Sequence, residues 1–256
     1  MPIVKDTYYH HYSEKGESRR PPVILIHGAG GTHLSWPPDI RRLPGFQVFA
    51  LDLPGHGKSG GRGYQSIGDY AQAIIEWLEV IGIYSASFIG HSMGSAIALT
   101  ITLNYPEHVK GVGVISGGAQ LRVNPELLER LCNPTTIRTT IERIASLSFG
   151  AKTPKKLIDQ TINRMDETRP SVLYGDFLAC NSFDVISQIA QINLPTLIIC
   201  GSEDRMTPIR YAQYLASNIP KADIRTVMDS GHMVMLEQPQ VVAKFLSDFL
   251  GGISYN

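Results

Sequence analysis

The sequence predicts an open, doubly wound α/β sheet, mostly parallel, interrupted by a helical insertion. Three observations carry this. Short apolar runs rich in β-branched residues recur along the chain, segments of helical periodicity alternate with them, and the alternation stops between residues 121 and 191. Near-continuous apolar runs mark strands covered on both faces, and strand–helix alternation is the mark of a parallel sheet.

The elements follow in order. Thr7–Tyr12 is aromatic-rich and reads as an antiparallel edge strand. Val23–Ile26, Gln47–Leu51, Ala86–Ile89, Gly111–Ile115 and Pro195–Cys200 read as buried strands, with Ile224–Val227 a weaker one. Ile67–Ile81 repeats apolar residues at helical spacing, and Met93–Asn104 is closed by Pro106. Pro208–Asn218 and Pro239–Leu250 each open on a proline suited to the first helical position. Between the strands Gly111–Ile115 and Pro195–Cys200, the segment 121–191 carries the amphipathic stretches Pro125–Cys132, Ile137–Phe149 and Pro154–Met165. So long a segment exceeds an ordinary loop. Residues 1–120 and 192–256 are therefore expected to form the core, and 121–191 a cap over the C-terminal edge of the sheet.

Composition narrows the function. Apolar residues make up 43% of the 256, ample for a buried core. Lys and Arg number 23 against 23 Asp and Glu, with no long run of one sign, so nothing marks a nucleic-acid surface. The three cysteines, Cys132, Cys180 and Cys200, are far apart and include no CxxC, so neither a disulfide scaffold nor a zinc site is expected. No run is long enough to span a membrane, and the polar stretch 1–16 has no apolar signal region. The expectation is a cytoplasmic protein.

Four motifs carry chemistry. Gly90-His91-Ser92-Met93-Gly94 lies between a predicted strand and a predicted helix, the context a G-x-S-x-G elbow requires. There Ser92 takes a strained turn conformation at a helix N-terminus, where the dipole favours developing negative charge. Asp204 follows the strand Pro195–Cys200, on the rim where such sheets bind ligands, and would orient an imidazole. Its bland role is an Asx-turn or a cap for the helix at Pro208. Glu203 competes for the acid role, and Asp184 is the reserve. His232 sits in the loop after the weak strand, with a side chain suited to general acid–base work. The chain order Ser92, Asp204, His232 runs nucleophile, acid, base. His27-Gly28-Ala29-Gly30-Gly31 follows the first buried strand, and the Ala29 amide, with that of Met93, would form an oxyanion hole. The segment lacks either glycine pattern of nucleotide binding. Asp52, His27 and His56 read as structural, and the His91 side chain is expected to point away from Ser92.

The chain resembles the α/β-hydrolase superfamily. The resemblance rests on HGAGG at 27–31, DLPGHGKS at 52–59, GHSMG at 90–94, GSEDRMTP at 201–208 and GHMVMLEQP at 231–239. It implies a serine hydrolase with Ser92 as nucleophile, His232 as base and Asp204 as acid. Ala29 and Met93 would hold the oxyanion, the cap would be the lid, and no cofactor or metal is needed. Dehalogenases and epoxide hydrolases of this fold use Asp at the elbow, where this chain has Ser92. Many carbon–carbon bond hydrolases place Trp after the base, where this chain has Met233. The HGAG turn is similar to those of carboxylesterases and monoglyceride lipases, so the expected substrate is a small or medium acyl ester. The alternatives are a carbon–carbon bond hydrolase acting on a diketone and a non-enzymatic ligand-binding protein of the same fold.

Overall fold

A computed structural model of the protein describes residues 3–13 and 20–253. Part of the polar stretch 1–16 lies outside the described residues. Eight strands form one sheet: β1 (Ile3–Val4), β2 (Thr7–Tyr12), β3 (Val23–Ile26), β4 (Val48–Asp52), β5 (Ala86–His91), β6 (Val109–Ile115), β7 (Thr196–Gly201) and β8 (Ala222–Val227). Their spatial order is β1-β2-β4-β3-β5-β6-β7-β8. The pairs from β4 through β3 to β8 are all parallel, whereas β2 meets β4 and β1 antiparallel. The sheet is thus doubly wound. The aromatic strand Thr7–Tyr12 is antiparallel as expected, but the short β1 caps it, so it is not the outermost strand.

Alternate strand residues face opposite layers. Ile24 and Ile26 pack with Tyr70, Trp77, Ile97 and Leu215 under α2 (Ile67–Val80), α3 (Met93–Asn104) and α8 (Ile209–Asn218). Val23 and Leu25 pack on the other face with Ile40, Met235 and Leu246, under α1 (Pro38–Arg41), α9 (Val234–Glu237) and α10 (Pro239–Gly252). Pro239 is the first residue of its helix, but Pro208 is the extended cap before its own.

Between β6 and β7 the chain forms α4 (Pro125–Cys132), α5 (Ile137–Ser148), α6 (Lys155–Asp166) and α7 (Pro170–Ser182). The first three match the predicted amphipathic stretches closely. The fourth has no counterpart in the sequence reading. It buries Val172, Leu173, Asp176, Phe177, Ala179 and Cys180 on several sides, so it shows no single apolar stripe. Leu131, Ile141, Ile144, Leu173 and Phe177 give these helices a small core of their own.

The order of strands positions the site. From β3 the chain moves to β4 on one side and then to β5 on the other. The C-terminal ends of β3 and β5 therefore flank a topological switch point, where open α/β sheets bind ligands. The loops that follow these two strands carry Ala29 and Ser92.

Candidate active site

Ser92 is the cap of α3 and stands at φ 51°, ψ −116°, a conformation rare outside glycine. Two glycines make the turn sterically possible. A Cβ on Gly90 would strike the Gly94 carbonyl, and one on Gly94 would strike the Ile26 carbonyl of the neighbouring strand. The strain is held by packing around it: the Ser92 amide donates to Ile115 at 2.9 Å, and its carbonyl accepts from the Ser95 amide and hydroxyl. As first residue of α3, Met93 has an amide with no partner within the helix.

The loop after β3 closes as a turn, with the Gly31 amide donating to Gly28 at 3.0 Å. This turn bond does not use the Ala29 amide. The loop is seated on the strand ends by His27, whose Nδ1 donates to Gly28 and whose Nε2 accepts from the Leu53 amide. Burial, assisted by the charge of His56 nearby, pushes this imidazole down to about 4, so it stays neutral and can accept.

Asp204 and His232 meet across 28 residues of sequence. Gly201 permits it, because a side chain there would collide with the carbonyls of Ser230 and Gly231 just before His232. Asp204 Oδ2 accepts from His232 Nδ1 at 2.9 Å and from the Thr207 hydroxyl at 2.8 Å. Its other oxygen, Oδ1, accepts from the amides of Met206 and Thr207. The carboxylate therefore bonds both the turn and the imidazole, one oxygen to each. Burial alone would raise its pKa. The charge of His232 and the hydrogen bonds from His232 and Thr207 outweigh that and hold the carboxyl at about 2.

The remaining candidates have other partners. Glu203 is half-buried and accepts from the Ala151 amide in the loop between α5 and α6. Asp184 is exposed beside Gln120 and Arg122. Asp52 is buried and holds the turn after β4, accepting from the His33 amide and ring and from the Lys58 amide. His91 packs against the His232 ring, and its Nε2 donates to the His232 carbonyl at 3.0 Å. Burial, then the charge of His232, pushes His91 down to about 3, which keeps it a neutral donor. Sequence reasoning missed Thr207, although it lies inside the motif quoted for Asp204. It also gave His91 no part in holding the His232 backbone.

Ala29, Ser92 and His232 line one cavity of about 110 Å³, to which the core adds Met206 and Met233 and the inserted helices add Ile144, Met165 and Phe177. The Met93 side chain is wholly buried beneath the elbow. Among the described residues, no group of three or more His, Cys, Asp or Glu is placed to hold a metal ion, and no helix is long and apolar enough to cross a membrane.

The chain is 26% identical to a pimeloyl-[acyl-carrier protein] methyl ester esterase of Yersinia enterocolitica, over 89% of this chain and 92% of that one. It is also 26% identical to 3-oxoadipate enol-lactonase 1 of Acinetobacter baylyi, over 93% and 91%. The crystal structure of an enol-lactonase from Burkholderia xenovorans shares the fold, with a TM-score of 0.88 at 20% identity and 96% coverage of each chain. The sequence pattern of the alpha/beta hydrolase fold matches residues 21–239, and the chain is a hydrolase enzyme belonging to that family.

Proposed function

We propose that the protein is a serine esterase acting on small or medium acyl esters, with Ser92 as nucleophile, His232 as general base and Asp204 as the acid that orients it. The observation that carries this reading is the Asp204–His232 pair at 2.9 Å, whose His232 lines the same cavity as Ser92. His232 Nε2 takes the Ser92 proton as Oγ attacks the ester carbonyl carbon. The carbonyl oxygen becomes an oxyanion between the amides of Ala29 and Met93. His232 returns the proton to the departing alkoxide, leaving an acyl-Ser92 ester and a free alcohol. Water then repeats the sequence: it loses a proton to His232, attacks the acyl carbon and releases the carboxylic acid, and Ser92 recovers its proton.

Residues 1–120 and 192–256 act as the core, and 121–191 as a cap that supplies the acyl wall. The esterase and lactonase relatives support the ester reading, since both cleave an acyl–oxygen bond. All three cysteines are free and Cys132 is exposed, which fits a reducing, cytoplasmic setting.

The test is hydrolysis of p-nitrophenyl esters of increasing acyl length, wild type beside Ser92→Ala. Turnover by wild type and a loss of about 10⁴-fold or more in kcat for the variant is the expected result. Equal turnover by the two folded proteins, or none by wild type with any ester, overturns the reading.

A further inference from the structure

Asp176 of α7 is fully buried and carries a carboxylate into the core of the hydrolase, away from the cavity that its neighbour Phe177 lines. Three donors converge on it. Oδ2 accepts from the Gly30 amide at 2.9 Å and from His56 Nε2 at 2.8 Å, and Oδ1 accepts from the Tyr70 hydroxyl at 2.7 Å. His56 Nδ1 in turn faces the Pro54 carbonyl at 3.2 Å. Both ring nitrogens thus face acceptors, which suits the doubly protonated cation. Burial would depress this imidazole, but the Asp176 carboxylate outweighs it and holds His56 above its ordinary 6.5. A buried ion pair is costly to assemble and is weak evidence of a role in stability alone. What sets this one apart is its third partner, the Gly30 amide.

Gly30 follows Ala29 in the turn between Gly28 and Gly31, and its φ is +62°. Its amide belongs to the central peptide of that turn, the unit that flips when a turn changes type. Asp176 holds the N–H of this peptide. The Gly30 carbonyl is held as well, by the Thr168 hydroxyl at 3.2 Å. Both holding residues come from the inserted segment, some 140 residues further along the chain. Leu173 and Met165 of the same segment fill the space where a side chain on Gly30 would stand.

We infer that Asp176 and Thr168 are positioning residues for the oxyanion turn: by holding the peptides on both sides of Gly30 they keep the turn in one conformation, and through it the Ala29 N–H of the preceding peptide in place, so that the inserted segment shapes the site as well as covering it. This rests on the proposed roles of Ser92 and Ala29. A donor aimed at the developing oxyanion must be held before the reaction starts, and a misplacement of about 1 Å in such a group costs about 10²-fold. The loss falls on the transition state and spares ground-state binding.

The experiment compares wild type, Asp176→Ala, Asp176→Asn and Thr168→Val. Each is assayed for kcat and KM on a p-nitrophenyl ester, and for affinity toward an alkyl trifluoromethyl ketone and its matching alcohol. The ketone forms a tetrahedral adduct with a serine nucleophile and needs the oxyanion donors, whereas the alcohol fills the same space without reacting. Asp176→Ala is expected to lose about 10²-fold in kcat and in ketone affinity, with KM and alcohol affinity within about threefold of wild type. Asp176→Asn keeps an oxygen for Gly30 and His56 and can turn its NH₂ to the Tyr70 oxygen, so it recovers most of the loss. Thr168→Val preserves shape and carries the test if Asp176→Ala does not fold, with a loss of about tenfold expected in the same two quantities. Folded variants with unchanged kcat and ketone affinity overturn the inference, as does an equal weakening of ketone and alcohol. A wild type that binds the ketone no better than the alcohol overturns the Ser92 reading itself, and this inference with it.

Discussion

At the scale of single residues, the site depends on one carboxylate doing two jobs. Asp204 Oδ1 closes the turn after β7 and Oδ2 receives the imidazole. Asp204→Asn should separate them. Its carbonyl oxygen can still serve the turn, but its NH₂ then faces the His232 N–H, and the imidazole loses its acceptor. Folding should survive while kcat falls by about 10⁴-fold, which steady-state kinetics on an ester will show. The same group sets an acid limit on stability. Its folded pKa of about 2 lies below the ordinary 3.8, so its contribution is complete above the ordinary value and is lost as pH falls toward 2. That contribution is roughly 2 kcal/mol. In urea titrations between pH 5 and pH 2, wild type should lose about that much more stability than Asp204→Asn. Parallel curves for the two proteins would show that the depressed value is wrong.

At the scale of elements, the inserted helices are tied to both loops that the proposed mechanism needs. Besides the hold of α7 on Gly30, the loop between α5 and α6 is tied to the loop carrying His232. Glu237 accepts from the Gly150 amide at 2.8 Å, from the Thr153 hydroxyl and from the Gly231 amide at 2.9 Å, while the Met233 amide donates to Ser148. Glu237→Ala leaves those donors without an acceptor. It should cost about 1–3 kcal/mol, or several degrees in Tm by calorimetry, and should lower kcat by loosening the loop that carries His232. An unchanged Tm would show that water replaces the carboxylate without loss. Sequence reading reached these elements unevenly. The buried strands were legible because their apolar runs are short and continuous, and α4 to α6 because each has one apolar stripe. Helix α7 was not, because burial on several sides erases the stripe and Asp176 looks like a surface acid. The Ser92, Asp204 and His232 loops were legible from local motifs. The parts of Thr207, His91 and Asp176 were not, since they depend on contacts the chain makes only once folded.

At the scale of the whole molecule, the proposed esterase reading ties the size of the substrate to how core and inserted helices close on each other. Ile144, Met165 and Phe177 come from three different helices, and with Ala29, Ser92 and His232 they bound a cavity of about 110 Å³. No motif marks such a wall, because apolar residues on amphipathic helices pack the same way whether or not a ligand lies beside them. The cavity nevertheless makes a quantitative demand. While an acyl chain grows into empty apolar space, each methylene adds about 0.8 kcal/mol, or roughly fourfold in kcat/KM. Once the space is full, a further carbon must displace packed side chains, and close-packed interiors resist that. A plot of log kcat/KM against acyl length should therefore rise, break sharply at a short chain and fall. Phe177 is buried and stands at the cavity wall. Phe177→Ala should move the break to longer chains while leaving the rate with an acetyl ester within a few-fold, because Ser92, His232 and Asp204 are untouched. If the break stays where it is in a folded Phe177→Ala enzyme, the acyl chain does not lie against α7, and the acyl wall must be sought on the side of Met206 and Met233, which line the same cavity.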